Sequence, residues 1–304
     1  MTSKKESTRF DIINNPTKEE MRVFKKRLQD YNMEQTNGEW NKPEIEINLV
    51  LKDNDGNVLG GINASILYWV MWLEIFWVDE KYRGLGYGRK LLLEAEKIGK
   101  NHGCVASGTW TFSFQAPEFY QRVGYEVIGV FDGYVNGITE YVLLKNLNSD
   151  DPKYKASVAD FSKQFTISDV TNDDDMKIVS EGLHEFVAGH VGELRKQYPE
   201  IGIRFIVKNR DEEIIGGMNA GTTLGTMFIE EIWVDEEYRG QGYGKALLLN
   251  AEDIAKQYGC ISGQIWILSF QNPSFFWKMG YEAFGISEGY YPNGIKEYDC
   301  IKRF

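Results

Sequence analysis

The sequence of 304 residues is short of cysteine, with three, and of proline, with seven. Three cysteines cannot all pair, and none stands in a C-x-x-C spacing, so neither a disulfide framework nor a cysteine-built metal centre is expected. No run reaches the ~18 consecutive apolar residues that a membrane span needs; the longest, 66–73, reads as strand or hairpin. The start, MTSKKESTRF, has charge but no apolar core of a secretory signal. These absences predict a folded protein of a reducing cytoplasm, without metal and without a membrane. Basic residues are also outnumbered, and the net charge of −11 argues against nucleic acid, whose binding depends on neutralising phosphates with Lys and Arg. An acidic surface suits a cationic small substrate, and serves equally as a solubility device.

What is present is a repeat. The stretch VDEKYRGLGYGRKLLLEAEKIGKNHGC (78–104) returns as VDEEYRGQGYGKALLLNAEDIAKQYGC (234–260), at an offset of 156 residues. At that offset Gly60-Gly61 match Gly216-Gly217, Asn63-Ala64 match Asn219-Ala220, Glu74 matches Glu230, and Trp77 matches Trp233. Ser113-Phe114-Gln115 and Gly124-Tyr125-Glu126 recur as Ser269-Phe270-Gln271 and Gly280-Tyr281-Glu282. A period this long exceeds the ~20–50 residues of solenoid repeats and indicates duplicated domains. The expected boundaries are 1–150 and 151–304, with a polar linker at about 148–162.

Each half reads as mixed α/β. A short strand (10–13; 165–168) precedes a helix, which in the first half opens at Thr17 with Glu20 three residues on, a capping-box pattern. Strands at 45–52 and 59–67 flank the turn signal DNDG. Next come a strand at 73–78, the glycine turn, and a helix at 89–101 with Leu91, Leu92, Ala95 and Ile98 at helical spacing. Strand (105–112), short helix (116–122) and two strands (125–130; 139–144) complete the unit.

The glycine turn lies between a strand and a helix, where backbone N–H groups and the positive end of the helix dipole can cradle a phosphate. The plain alternative is a tight turn with no ligand. A P-loop would need Lys-Ser/Thr after the last glycine, and here Arg89 or Lys245 stands alone. A dinucleotide fingerprint would need G-x-G-x-x-G with an acid after a second strand, and neither is present.

The form that fits is R-x-x-G-x-G, and it resembles the pyrophosphate loop of the GCN5-related N-acetyltransferase (GNAT) superfamily. Arg83, Gly86 and Gly88 match it in the first half, and Arg239, Gly242 and Gly244 in the second. The downstream segment with Tyr120, Gly124 and Tyr125 is also similar to small bacterial members. The resemblance implies two tandem acyl-CoA N-acyltransferase domains, each a mixed, mostly antiparallel, splayed sheet flanked by helices. It implies that acetyl-CoA is held by Arg83, Gly84, Gly86, Gly88 and Arg89, with its pantetheine along Trp77 and Val78. The second set is Arg239, Gly240, Gly242, Gly244 and Lys245, with Trp233 and Val234.

The resemblance also assigns the chemistry. Glu74 and Glu230 are the expected bases or amine ligands, and Tyr120 the expected proton donor, whereas its counterpart Phe276 has no hydroxyl. The second half has Glu230-Glu231 where the first has Glu74-Ile75; adjacent strand residues face opposite ways, so one of each pair should line the cleft. Trp69 and Trp72 are candidates for an acceptor pocket or for core, and Cys104 and Cys260 for core. The expected activity is acetyl transfer to a small-molecule primary amine (a polyamine, amino sugar or aminoglycoside-like compound). The alternatives are a non-catalytic second half or a protein amine as acceptor. The expected assembly is the intramolecular pair, or a homodimer of such pairs.

Overall fold

The computed structural model describes residues 11–38, 45–148, 165–169 and 173–304. Phe10 and nearly all of the expected linker lie outside them. Among the described residues fourteen strands form one sheet. In the first half they are β1 (Asp11–Asn14), β2 (Ile45–Asp53), β3 (Val58–Leu67), β4 (Val70–Val78), β5 (Ala106–Phe112), β6 (Glu126–Phe131) and β7 (Glu140–Asn146). Their counterparts are β8 (Phe165–Asp169), β9 (Gly202–Lys208), β10 (Ile214–Thr223), β11 (Thr226–Val234), β12 (Ser262–Leu268), β13 (Glu282–Ser287) and β14 (Glu297–Arg303). The helices are α1 (Lys18–Gln35), α2 (Tyr87–Asn101), α3 (Pro117–Arg122), α4 (Asp173–Gln197), α5 (Tyr243–Gln257) and α6 (Pro273–Lys278). None of them is long and apolar enough to cross a membrane.

The strand order is β1-β9-β10-β11-β12-β14-β13-β6-β7-β5-β4-β3-β2-β8. It reads the same from either end once each strand is replaced by its repeat partner, so the halves are related by an approximate two-fold. The axis runs where β6 and β13 meet, antiparallel, at Gly129 and Gly285. The flanks hold the surprise. β1 pairs with β9 of the other half, and β8 pairs with β2. The helices follow their strands: α1 lies on β9 and β10, and α4 on β2, β3 and β4. The first strand and helix of each sequence repeat are therefore exchanged between the halves.

Local signals explain why these helices form. Thr17 caps α1, its hydroxyl accepting from the Glu20 N–H while the Glu20 carboxylate accepts from the Thr17 N–H at 2.8 Å. Three aspartates, 173 to 175, fill the first turn of α4, where the helix dipole favours negative charge. Matched ion pairs tie each helix to its adopted half, Glu20 to Lys208 at 2.9 Å and Asp175 to Lys52 at 2.6 Å. The repeated glycine pair has its reason here. A Cβ at Gly61 would sit 2.7 Å from Val179 of α4, and one at Gly217 would sit 2.8 Å from Phe24 of α1. Only a bare backbone lets the exchanged helix come this close.

Each half keeps its own core, built in the first around Leu91, Leu92 and Tyr120 and in the second around Leu247, Leu248 and Phe276. Further cores bridge the halves. Trp72 stacks on Trp110 with ring centroids 4.2 Å apart, in a cluster with Leu268 and Tyr291 of the second half. Trp72 thus serves packing between the halves and not an acceptor pocket, while Trp69 occupies a tight β3–β4 turn at φ 66°. Cys104 and Cys260 are buried core residues, their thiols pushed up to about 11 by burial.

Candidate active sites

Each half contains a fork. β4 and β5 run parallel and pair only over 70–73 and 106–109, and β11 and β12 only over 226–228 and 262–264. Beyond these points the strands splay, and the edge of β4 toward Val78, like that of β11 toward Val234, turns its backbone to the opening. A β-bulge marks each fork. Asn63 pairs with Ile75 and Ala64 with Leu73, leaving Glu74 as the extra residue; in the second half Glu230 is extra between Ile229 and Glu231.

The bulge corrects one sequence expectation. Strict alternation would send Glu230 and Glu231 to opposite faces, but both carboxylates accept from the Asn219 amide nitrogen, Glu231 at 3.3 Å and Glu230 more closely. Both line one cleft of about 850 Å3. In the first half Glu74 accepts from the Ser65 hydroxyl at 3.0 Å, and Ile75 follows it. Glu74 and Glu230 are both exposed at the end of the paired segment.

The glycine turn sits at the mouth of each fork. Gly84 and Gly86 have φ of 75° and 91°, Gly240 and Gly242 of 75° and 95°, a left-handed region that side chains strain. Gly86 and Gly242 begin α2 and α5 with no side chain capping the first turn. The first turn of a helix has N–H groups that the helix cannot pair. Gly88 and Gly244 are already helical, where a Cβ would only touch Phe76 and Phe275 at ordinary distances. Lys245 is exposed on the cleft wall, and Arg89 holds the matching place in the first half. An uncapped 15-residue helix, a bare turn, a cation and a strand edge without a partner strand suit a pyrophosphate followed by an amide-bearing arm, so the residues present fit coenzyme A.

The two loop arginines act differently from a simple phosphate ligand. Arg83 donates from Nε to the Val78 carbonyl and Arg239 to that of Val234, each at 2.9 Å, which closes the turn onto the strand it leaves. Their guanidinium groups lie over aromatic rings of the exchanged helices, Arg83 over Phe186 at 4.9 Å and Arg239 over Tyr31 at 4.7 Å. The Trp77 and Trp233 side chains are likewise taken up by these helices, Trp233 beside Met21 and Phe24 of α1, and Trp77 beneath Gly182 of α4. Toward the fork Trp77, Val78, Trp233 and Val234 present backbone, of which the Val78 and Val234 carbonyls are already held by the loop arginines.

Tyr120 packs edge-on against Phe76, Phe119 and Tyr125, and burial raises its phenol above the ordinary range, so the proton stays on the oxygen. Phe276 holds the equivalent place and lines the second cleft. The sequence reading missed the residues that α1 brings to that cleft. Lys25 pairs with Glu231 at 3.1 Å, Tyr31 covers Arg239, and Asn32 accepts from Gln271 at 3.2 Å. The identity of Gln115 and Gln271 across the repeat was the available signal for the last of these contacts; nothing marked the helix.

Comparison with known proteins agrees with this geometry. The acetyltransferase (GNAT) family matches residues 14–125 and again 178–281. A blasticidin-S acetyltransferase of Streptomyces morookaense is 38% identical over 93 residues, which are 30% of this chain and 68% of that protein. An acetyltransferase of Agrobacterium fabrum is 32% identical over 101 residues, 33% of this chain and 71% of its own. Among solved structures, an acetyltransferase from Bacillus cereus ATCC 14579 is 36% identical, covering 44% of this chain and 96% of its own, with a TM-score of 0.42. The family accounts for most of the sequence, once in each half, and the chain therefore belongs to it: this is an acyltransferase of the GNAT family, whose enzymes use acetyl-CoA.

Proposed function

We propose that the protein moves an acetyl group from acetyl-CoA to a primary amine of a small molecule, in the cytoplasm, with a cofactor cradle in each half. The carrying observation is the bulged glutamate, which stands at the fork in both halves beside a bare glycine turn. Gly84, Gly86, Gly88 and Arg89 would hold the pyrophosphate in the first cleft; Gly240, Gly242, Gly244 and Lys245 would do so in the second. The strand edges at Trp77–Val78 and Trp233–Val234 would take the pantetheine amides. When bound, the cofactor supplies an acetyl group already activated as a thioester.

The chain's own residues manage the protons. An amine attacks only when neutral, and at neutral pH it arrives as ammonium. Glu74 or Glu230 attracts that ammonium and accepts its proton, directly or through water, while the fork fixes the nitrogen. Tyr120, protonated and buried, is the proton donor on the leaving side in the first cleft. The relative named for blasticidin S favours a discrete compound over a protein as acceptor. The three free, buried cysteines fit a reducing compartment.

A panel of small amines, amino sugars and peptides, followed by thiol release and product mass, tests this reading. Acetylation of the small amines is expected; a protein that modified only lysine side chains or amino termini of peptides would overturn it. Phe276 favours a second reading, in which the second half binds cofactor without turning it over. Calorimetry finding two coenzyme A per chain, with turnover abolished by Tyr120→Phe alone, would support that version.

A further inference from the structure

We infer that Lys25, brought into the second cleft by the exchanged helix, is a specificity-determining residue that stands in for an acceptor ammonium. The second cleft then selects acceptors with two cationic groups, and the first does not. This rests on the acetyl-transfer reading above.

The bulge at Glu230 and the shared Asn219 amide gather two carboxylates on one wall of the second cleft. One of them, Glu231, is matched by Lys25 at 3.1 Å, with side-chain exposures of 51% for the lysine and 23% for the carboxylate. A half-exposed pair on a long flexible side chain is worth at most ~1 kcal/mol, so a ligand cation of better fit can displace it. An alkylammonium on Glu231 is what a diamine's second nitrogen would present, and Lys25 shows that the cleft accommodates that group. With Lys25 swung into solvent, Glu230 and Glu231 face the acceptor together. The other cations on the cleft wall are Arg239 and Lys245 at the glycine turn and Lys278 on α6.

The first cleft has none of this. Glu74 is followed by Ile75, and its neighbour is the neutral Ser65 hydroxyl. Phe24 and Val179 occupy matching places over Gly217 and Gly61, as do Tyr31 and Phe186 over the loop arginines, so Ser180 stands where α1 has Lys25. Among the described residues, Ile75 and Ser180 replace Glu231 and Lys25, which suits a single ammonium on Glu74. The two clefts share a cofactor cradle and differ by one charge on each side of the acceptor space.

The test uses the full chain with its first cleft silenced by Glu74→Gln and Tyr120→Phe, and compares 1,4-diaminobutane with n-butylamine as acceptors. The diamine should be preferred by kcat/KM. Glu231→Gln should cut that preference ~10-fold, the scale of a lost charged hydrogen bond. Lys25→Met should raise the preference roughly threefold by removing the competitor, and Lys25→Arg should restore it. An unchanged ratio in both Glu231→Gln and Lys25→Met overturns the inference while leaving acetyl transfer intact. If no variant turns over, calorimetric binding of the diamine to the chain loaded with coenzyme A decides: weakening by Glu231→Gln supports the inference, and unaltered binding overturns it.

Discussion

The two clefts of this chain are built from one plan and have changed in different parts of it. Their turns, forks and bulges superimpose in kind: arginine to strand carbonyl at 2.9 Å, left-handed glycines, an uncapped helix, an extra glutamate. Their acceptor sides do not. Tyr120 faces Phe276, Ile75 faces Glu231, Phe186 faces Tyr31 and Ser180 faces Lys25 across the repeat. On the reading proposed above both sites take the same cofactor, which leaves its cradle little room to change, whereas the acceptor can differ from one site to the other and divergence concentrates there.

The sharpest way to break this comparison is to remove the hydroxyl that only one cleft has. In a chain whose second loop is blocked by Gly242→Val, Tyr120→Phe should lower kcat ~10²-fold, the contribution of a positioned proton donor. The reciprocal Phe276→Tyr, with Gly86→Val blocking the first loop, should raise turnover. Equal activity of both clefts with and without the hydroxyl would show that the two sites do not differ in this step.

The joint between the halves gives a second, smaller asymmetry. Glu140 accepts from Tyr134 at 3.0 Å and Glu297 from Tyr291 at 2.7 Å, buried beside Gln264 and Asp299. Val142 holds the place of Asp299 in the other half, so three carboxyls crowd a space that symmetry would give two. Burial pushes Glu140 and Glu297 up to about 7 from an ordinary 4.5 and raises Asp299 as well. The folded protein thus holds these protons more tightly than the unfolded chain. Their stabilisation is complete below 4.5 and is lost as pH rises through about 7. Thermal melts should show a melting temperature that falls across this window, and Glu140→Gln with Glu297→Gln should flatten the fall. A wild-type curve already as flat as the double variant's would remove the joint as a source of pH dependence.

The least effect is expected where the halves are most alike. Lys52→Met and Lys208→Met each unfasten one exchanged helix from its partner sheet, and each should cost ~0.5–1 kcal/mol in urea denaturation, as partly exposed ion pairs do. A loss several times larger for one of them would mean that the two exchanged helices are held unequally.

Much of the fold was legible because its signals are local. The Thr17 capping box, the DNDG turn and the spacing of Leu91, Leu92, Ala95 and Ile98 each report on a few neighbouring residues, and each element formed within two or three positions of its expected place. The glycine turn was legible for the same reason. The exchange was not, because a helix that packs on its own half and one that packs on the homologous half bury the same face against the same kind of sheet. Periodicity carries no information about which copy receives it. The acceptor side of the second cleft was hidden with it, since Lys25 lies more than 200 residues from Glu231 in a helix that sequence assigned elsewhere. The bulge was hidden too, because alternation is read one strand at a time and a bulge is a property of a pair.

The exchange has a consequence for how such sites vary. In a symmetric dimer of identical chains, one substitution in the roofing helix alters both active sites at once, and any gain in one is tested against harm in the other. Joined in a single chain, the helices at 18–35 and 173–197 are separate stretches of sequence, each roofing the site across from it. Lys25 can arise over one cleft while Ser180 remains over the other. Fusion turns a pair of sites that must change together into two that can be altered independently, within one molecule that cannot come apart.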